Sequence, residues 1–260
     1  MVADFFCRPS GEAQPALVLL GGSEGGKSWS GHPEQIRQFV DQGYAVLSLA
    51  YFGVDPLPAC LQTVPLEYFT QAFQWLYTQK EIIPGGVTLL GVSRGAELAL
   101  LLGCNCNEVN AVVAIAPSSV VFSGAPKNIL DALRGQHSAW SLQGREMPFV
   151  PLVYSWLTLR GLLTGRRTRM FEEALRNDAA VKAASIPVER MRGPVLLESF
   201  TRDQVWPSTR MANQVAYRLV DRGFRFYYKH NAHDTVHSDW AFAPCWKNIL
   251  GFLKEQRAAN

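Results

Sequence analysis

The sequence predicts an α/β fold, with a mostly parallel central sheet flanked by helices. Three observations point there. Short apolar runs alternate with segments of helical periodicity over residues 16–115. The runs are unbroken rather than alternating, which suits strands covered on both faces. One run, residues 87–90, leads into Gly91-Val92-Ser93-Arg94-Gly95, and a helical pattern starts at once. Strand, tight turn and helix in that order form a nucleophile elbow, where glycines on either flank of a serine remove clashing Cβ atoms. The alternation and the elbow together specify an α/β-hydrolase fold.

Composition narrows the function. At 260 residues, 48% hydrophobic and 18% charged, the chain can bury the core of one large domain, and 1–260 is taken as that unit. A net charge of +3, with no basic stretch interleaved with aromatics, does not point to nucleic acid. Cys7, Cys60, Cys104, Cys106 and Cys245 are odd in number and lack paired zinc-ligand spacing. A reduced, cytoplasmic protein is therefore expected. Residues 1–10 are too short and mixed for a signal peptide, and residues 149–163 are interrupted by Pro151, Ser155 and Arg160, so no membrane span is expected.

The elements follow in order. Residues 4–8 suit a short edge strand, and residues 16–20 a buried one. The loop Gly21-Gly22-Ser23-Glu24-Gly25-Gly26 comes next; it can bring backbone amides to developing negative charge. It is not a phosphate-binding loop, because Lys27-Ser28 follows the wrong glycine spacing, and no cofactor is expected. Residues 32–42 read as a helix stopped by Gly43, 44–50 as a strand, and 66–79 as a helix with Phe69, Phe73, Trp75 and Leu76 on its core face. Residues 93–102 form the elbow helix and 109–115 a further strand. The alternation then breaks. Residues 117–186 carry no clean strand, but hold aromatics, prolines and the basic cluster Arg160, Arg166, Arg167 and Arg169. They are expected to form a helical cap, its clearest helix over 168–177, whose arginines suit either a solvated face or an anionic substrate tail. A strand at 195–199, a helix at 209–222 capped by Ser208, a last strand at 224–228 and a helix at 240–256 complete the pattern.

A serine hydroxyl needs an imidazole to take its proton and an acid to orient that imidazole. In hydrolase sheets the chain order is serine, acid, histidine. Ser93 is followed by Asp203 just past one strand and His233 just past the expected last strand, all at strand C-terminal ends. His230 and His237 compete with His233 for the base. Glu198 competes for the acid, but its place inside a strand should keep it from the histidine loop; Asp234 and Asp239 also lie near the histidines. The histidines lack carboxylate or cysteine partners at ligand spacing, so no metal is expected. The amide of Arg94 should supply one oxyanion donor and that of Ser23 or Glu24 the second.

The run 91–99 resembles the elbow of the acyl-CoA thioesterase and bile acid-CoA:amino acid N-acyltransferase C-terminal domain family, a relative of dienelactone hydrolases. Further pieces match in order: residues 20–26, 50–52, 66–69, 186–190 and 203–208. The resemblance implies Ser93, Asp203 and His233 as triad, with Asn231-Ala232-His233 matching the family's turn of a small residue then histidine. It implies a small-molecule acyl thioester or ester as substrate. The acyltransferases of the family use cysteine, so a serine here favours hydrolysis. Full-length eukaryotic members carry an N-terminal immunoglobulin-like domain, which is not expected in these residues. The acid loop 199–203 also lacks the family's usual leading glycine.

Overall fold

The computed structural model describes residues 1–9, 11–125, 128, 131, 135–156, 161, 167–241 and 244–259. Its centre is a seven-stranded sheet built from β1 (Val2–Phe6), β2 (Gln14–Leu20), β3 (Ala45–Ala50), β5 (Ile82–Val92), β6 (Val109–Ile115), β9 (Val195–Phe200) and β10 (Tyr228–His233). Their order is β1-β3-β2-β5-β6-β9-β10. Only β1 runs antiparallel, against β3; the other pairings are parallel. The predicted fold class is borne out.

The unbroken apolar runs explain the layers. In β2, Leu17 and Leu19 enter one core while Val18 and Leu20 enter the other, all fully buried. The first layer holds α1 (Pro33–Asp41) and α7 (Pro244–Ala259). There Phe39 stacks near Trp246, and Trp246 Nε1 donates to Gln38 Oε1 at 2.8 Å. The opposite layer holds α2 (Glu67–Tyr77), α3 (Arg94–Asn105) and α6 (Ser208–Asp221). Every residue of α3 from Arg94 to Gly103 is buried; its body is apolar, and its two charged residues, Arg94 and Glu97, pair with each other.

Residues 117–186 differ from expectation in two respects. A second sheet of three short strands forms from β4 (Val64–Pro65), β7 (Trp140–Leu142) and β8 (Arg145–Glu146). Strands of two or three residues leave no periodic signature, so none was legible. The helix expected at 168–177 ends at Ala174 as α4 (Thr168–Ala174); a further helix, α5 (Asp178–Ala184), follows it, with Asn177 as its cap accepting from Ala180 N–H. Arg160 and Arg166 lie outside the described residues; Arg167 and Arg169 are exposed.

The last strand is the consequential difference. It spans Tyr228–His233, not the apolar run 224–228. It is an edge strand with no fully buried residue, so it needs no apolar run. His230 and His233 therefore sit within the strand, and His237 opens the short 3-10 helix His237–Ala241 that follows.

Among the described residues no helix is long and apolar enough to cross a membrane.

Candidate active site

The elbow forms where β5 turns into α3. Ser93 adopts φ 57°, ψ −118°, a left-handed conformation that a side chain occupies only under constraint, at a cost of about 1–3 kcal/mol. The constraints are visible. Ser93 N–H donates to Ile115 C=O at 2.8 Å, fastening the turn to the end of β6. A Cβ at Gly91 would stand 2.0 Å from the Gly95 carbonyl oxygen. A Cβ at Gly95 would stand 2.3 Å from the carbonyl oxygens of both Leu20 and Gly21. Both glycines are thus demanded by close backbone approach, and the second brings the end of β2 against the start of α3.

That approach places the glycine-rich loop beside the serine. A Cβ on Gly22 would lie 3.3 Å from Ser93 Cβ. Tyr51 Oη donates to Gly21 C=O at 2.5 Å, and Glu24 Oε1 accepts from Gly22 N–H at 2.8 Å. Glu24 thereby occupies the Gly22 amide and fixes the loop with its side chain. Arg94 is the first residue of α3, where a helical N–H has no intrahelical acceptor. Ser23 and Arg94 both line the cavity that opens over Ser93.

The cavity holds about 380 Å³. Its wall over the serine comes largely from residues 117–186, including Ser123, Leu152, Tyr154, Met170 and Phe171; Val205 and Trp206 close the side nearest the acid loop. Arg167 lies on its lining and is exposed. The start of α4 is tied to that loop, with Arg167 N–H donating to Gln204 C=O at 2.9 Å and Thr168 Oγ1 to Asp203 C=O at 3.1 Å.

Beneath the elbow runs a buried polar network that sequence reasoning missed. The Arg94 guanidinium donates to Glu97 Oε2 at 2.8 Å and to the carbonyls of Phe122 and Ser123 at 3.3 and 3.1 Å. Trp140 Nε1 donates to the other Glu97 oxygen at 2.8 Å. This network joins the elbow helix to the cavity wall. Burial pushes the Glu97 carboxyl up to about 7, against the opposing pull of Arg94.

The acid and the histidines pair differently from expectation. Asp203 Oδ1 accepts from Val205 and Trp206 N–H at 2.9 and 3.2 Å, and Oδ2 from Ser208 Oγ at 2.7 Å. Oδ2 also meets His237 Nδ1 at 2.8 Å. His233 does not reach Asp203; its Nε2 makes a short hydrogen bond to Glu198 Oε2. The expected Asp203–His233 pair is replaced by Asp203–His237, because the last strand ends at His233 and carries that side chain back along the sheet. Glu198 meets a histidine after all, for the same reason. His230 Nε2 lies 2.8 Å from Ser199 Oγ, and burial pushes its imidazole down. Asp234 pairs with Thr201 and Arg202, and Asp239 accepts from Thr235 Oγ1. Ser208 caps no helix; its hydroxyl serves Asp203. The signal for His237 was available: a histidine just beyond the last strand, once that strand is placed on the polar edge.

Gly95→Ala should cost roughly 3 kcal/mol or more of unfolding free energy, since backbone rather than a movable side chain fills the space. A denaturant midpoint unchanged from the parent would contradict the close approach. Glu97 gives a pH signature. Its folded carboxyl, at about 7, binds a proton more tightly than the ordinary carboxyl at 4.5. The stability it contributes is complete below the lower value and is lost as pH rises to the upper one. The stability of the parent relative to Glu97→Gln should therefore fall across that window in urea titrations; a flat difference would contradict the desolvated carboxyl.

Known proteins agree with this architecture. The chain is 28% identical over 223 residues to the mitochondrial acyl-coenzyme A thioesterase 2 of Mus musculus, covering 85% of this chain and 44% of that protein. It is 26% identical over 253 residues to acyl-coenzyme A amino acid N-acyltransferase 2 of Rattus norvegicus, covering 95% and 55%. The chain thus spans about half the length of these relatives. An esterase of Pyrococcus furiosus superposes with a TM-score of 0.61 at 13% identity, over 95% of this chain and 83% of that one. A 2,6-dihydroxy-pseudo-oxynicotine hydrolase superposes with a TM-score of 0.62 at 12% identity, over 99% and 64%. These likenesses establish the α/β-hydrolase fold. Residues 64–238 match the family described as BAAT / Acyl-CoA thioester hydrolase C terminal, and the chain belongs to that family.

Proposed function

We propose that the chain is a serine hydrolase that cleaves an acyl thioester, with Ser93 as nucleophile, His237 as base and Asp203 as the acid that orients it. The observation that carries this reading is the Asp203–His237 contact through Nδ1, just past the C-terminal ends of β9 and β10 in the sheet whose β5 delivers the strained, glycine-framed Ser93. An acid on Nδ1 fixes the tautomer and leaves Nε2 to take the Ser93 proton. Asp203 accepts three further hydrogen bonds, which hold its carboxyl group in place against the imidazole.

Ser93 Oγ attacks the thioester carbon while Nε2 of His237 takes its proton. The tetrahedral oxyanion is received by the backbone amides of Arg94 and Ser23, a reading supported by both residues lining the same cavity as Ser93. His237 returns the proton to the departing thiolate, leaving an acyl-serine ester. Water, activated by the same imidazole, then releases the acid and restores Ser93. The cavity receives the acyl group under the cap formed by residues 117–186, and Arg167 stands where an anionic leaving group would pass. Family membership and the thioesterase relatives support a thioester over a plain ester.

A fluorophosphonate probe should label the protein on Ser93, and Ser93→Ala should remain unlabelled. Thiol release from a panel of acyl-CoA thioesters should exceed turnover of matched aryl esters, and His237→Asn should lower kcat/KM about a thousandfold or more. Turnover of esters alone would overturn the thioester assignment. Acyl-amide formed from an added amino acid in place of free acid would make the protein an acyltransferase, as the Rattus norvegicus relative is named.

A further inference from the structure

The structure holds a second carboxylate–histidine pair that the proposed chemistry does not use. Glu198 on β9 is fully buried and His233, the last residue of β10, lies against it. A lone carboxylate there would be costly, and it is not alone: Asn231 Nδ2 donates to its other oxygen at 2.8 Å, and Asn248 on α7 also bonds it. Burial pushes the Glu198 carboxyl up and the His233 hydrogen bond draws it back. A buried ion pair of this kind is weak evidence for stability, because an apolar pair of similar volume often serves as well. What an apolar pair cannot do is fix direction.

His233 is where direction matters. Its backbone carbonyl accepts two hydrogen bonds, from Thr201 N–H and from Thr235 N–H, each at 2.9 Å. Thr201 opens the loop to Asp203 and Thr235 the loop to His237; each partner lies two residues further on. Further ties zip the loops together: Arg202 N–H to Thr235 C=O at 3.1 Å, Thr201 Oγ1 to Asp234 Oδ1 at 3.1 Å, and the Arg202 guanidinium to Asp234 C=O at 2.6 Å. One carbonyl therefore sets the spacing of both loops, and the side chain of the same residue is pinned to the buried Glu198.

We infer that His233 and Glu198 are positioning residues for the Asp203–His237 pair, the Glu198–His233 hydrogen bond locking the carbonyl that holds the acid loop and the histidine loop in register. This rests on His237 being the base. It predicts a role in rate rather than in folding or substrate affinity.

The test is a series on the full chain, read by melting temperature, kcat and KM with an acyl thioester. The apolar pair Glu198→Leu with His233→Leu should fold, with a melting temperature lowered only as far as the Asn231 and Asn248 amides lose their acceptor. Its kcat should still drop about tenfold to a hundredfold, with KM within about twofold, as expected when reacting groups are displaced by about 1 Å. His233→Gln keeps an N–H donor for Glu198 and should recover most of that loss. Parental kcat in the apolar pair, a loss carried by KM, or no recovery with glutamine would each overturn the positioning role. If the apolar pair does not fold, the comparison of His233→Gln with His233→Leu decides: equal kcat values overturn the proposal. Failure of the underlying reading looks different, since the parent would not label on Ser93 or His237→Asn would keep full activity.

Discussion

Everything at this site depends on one close approach. The carbonyls of Leu20 and Gly21 pass so near the start of α3 that only glycine fits at residue 95. That contact presses the end of β2 onto the elbow helix. It holds the glycine-rich loop against Ser93, and it leaves the serine on a backbone turn it would not adopt by itself. The glycine-rich loop and Ser93 are positioned by the same packing. The buried Arg94–Glu97–Trp140 network extends this packing outward, to the carbonyls of Phe122 and Ser123 and so to the cavity wall.

Much of this was legible in the residues. Unbroken apolar runs gave the parallel strands because those strands are covered on both faces, and two glycines around a serine gave the elbow because that turn excludes side chains. Asp203 could be found because it stands just past a strand of ordinary apolar character. The histidine could not be found the same way. Residues 224–228 are rich in aromatics, yet the ladder begins only at Tyr228 and continues through Lys229, His230 and Asn231. An edge strand satisfies only one neighbour and half its side chains meet solvent, so hydrophobicity misplaces it. The misplacement put His233, rather than His237, just past the last strand and opposite Asp203. It also hid Glu198, whose strand position keeps it from a loop histidine but not from a histidine on the neighbouring strand.

The two carboxylate–histidine pairs invite comparison, and their chemistry differs. Asp203 is met through Nδ1 by a histidine just beyond the last strand, with its other lone pairs filled by backbone amides and a hydroxyl. Glu198 is met through Nε2 by a histidine at a strand end, deep in the sheet and tied to amide side chains. The first arrangement leaves an imidazole nitrogen for a proton in flight; the second uses the imidazole as a structural donor. Both hang from the same pair of strands, β9 and β10, and lie within a few residues of each other.

Chemical rescue tests the assignment of the base most directly. His237→Gly and His233→Gly each remove an imidazole, and added imidazole can replace only one that carries a proton in the reaction. The account predicts that millimolar imidazole restores thioester cleavage to His237→Gly and leaves His233→Gly unchanged. Rescue of His233→Gly with none at His237→Gly would contradict it.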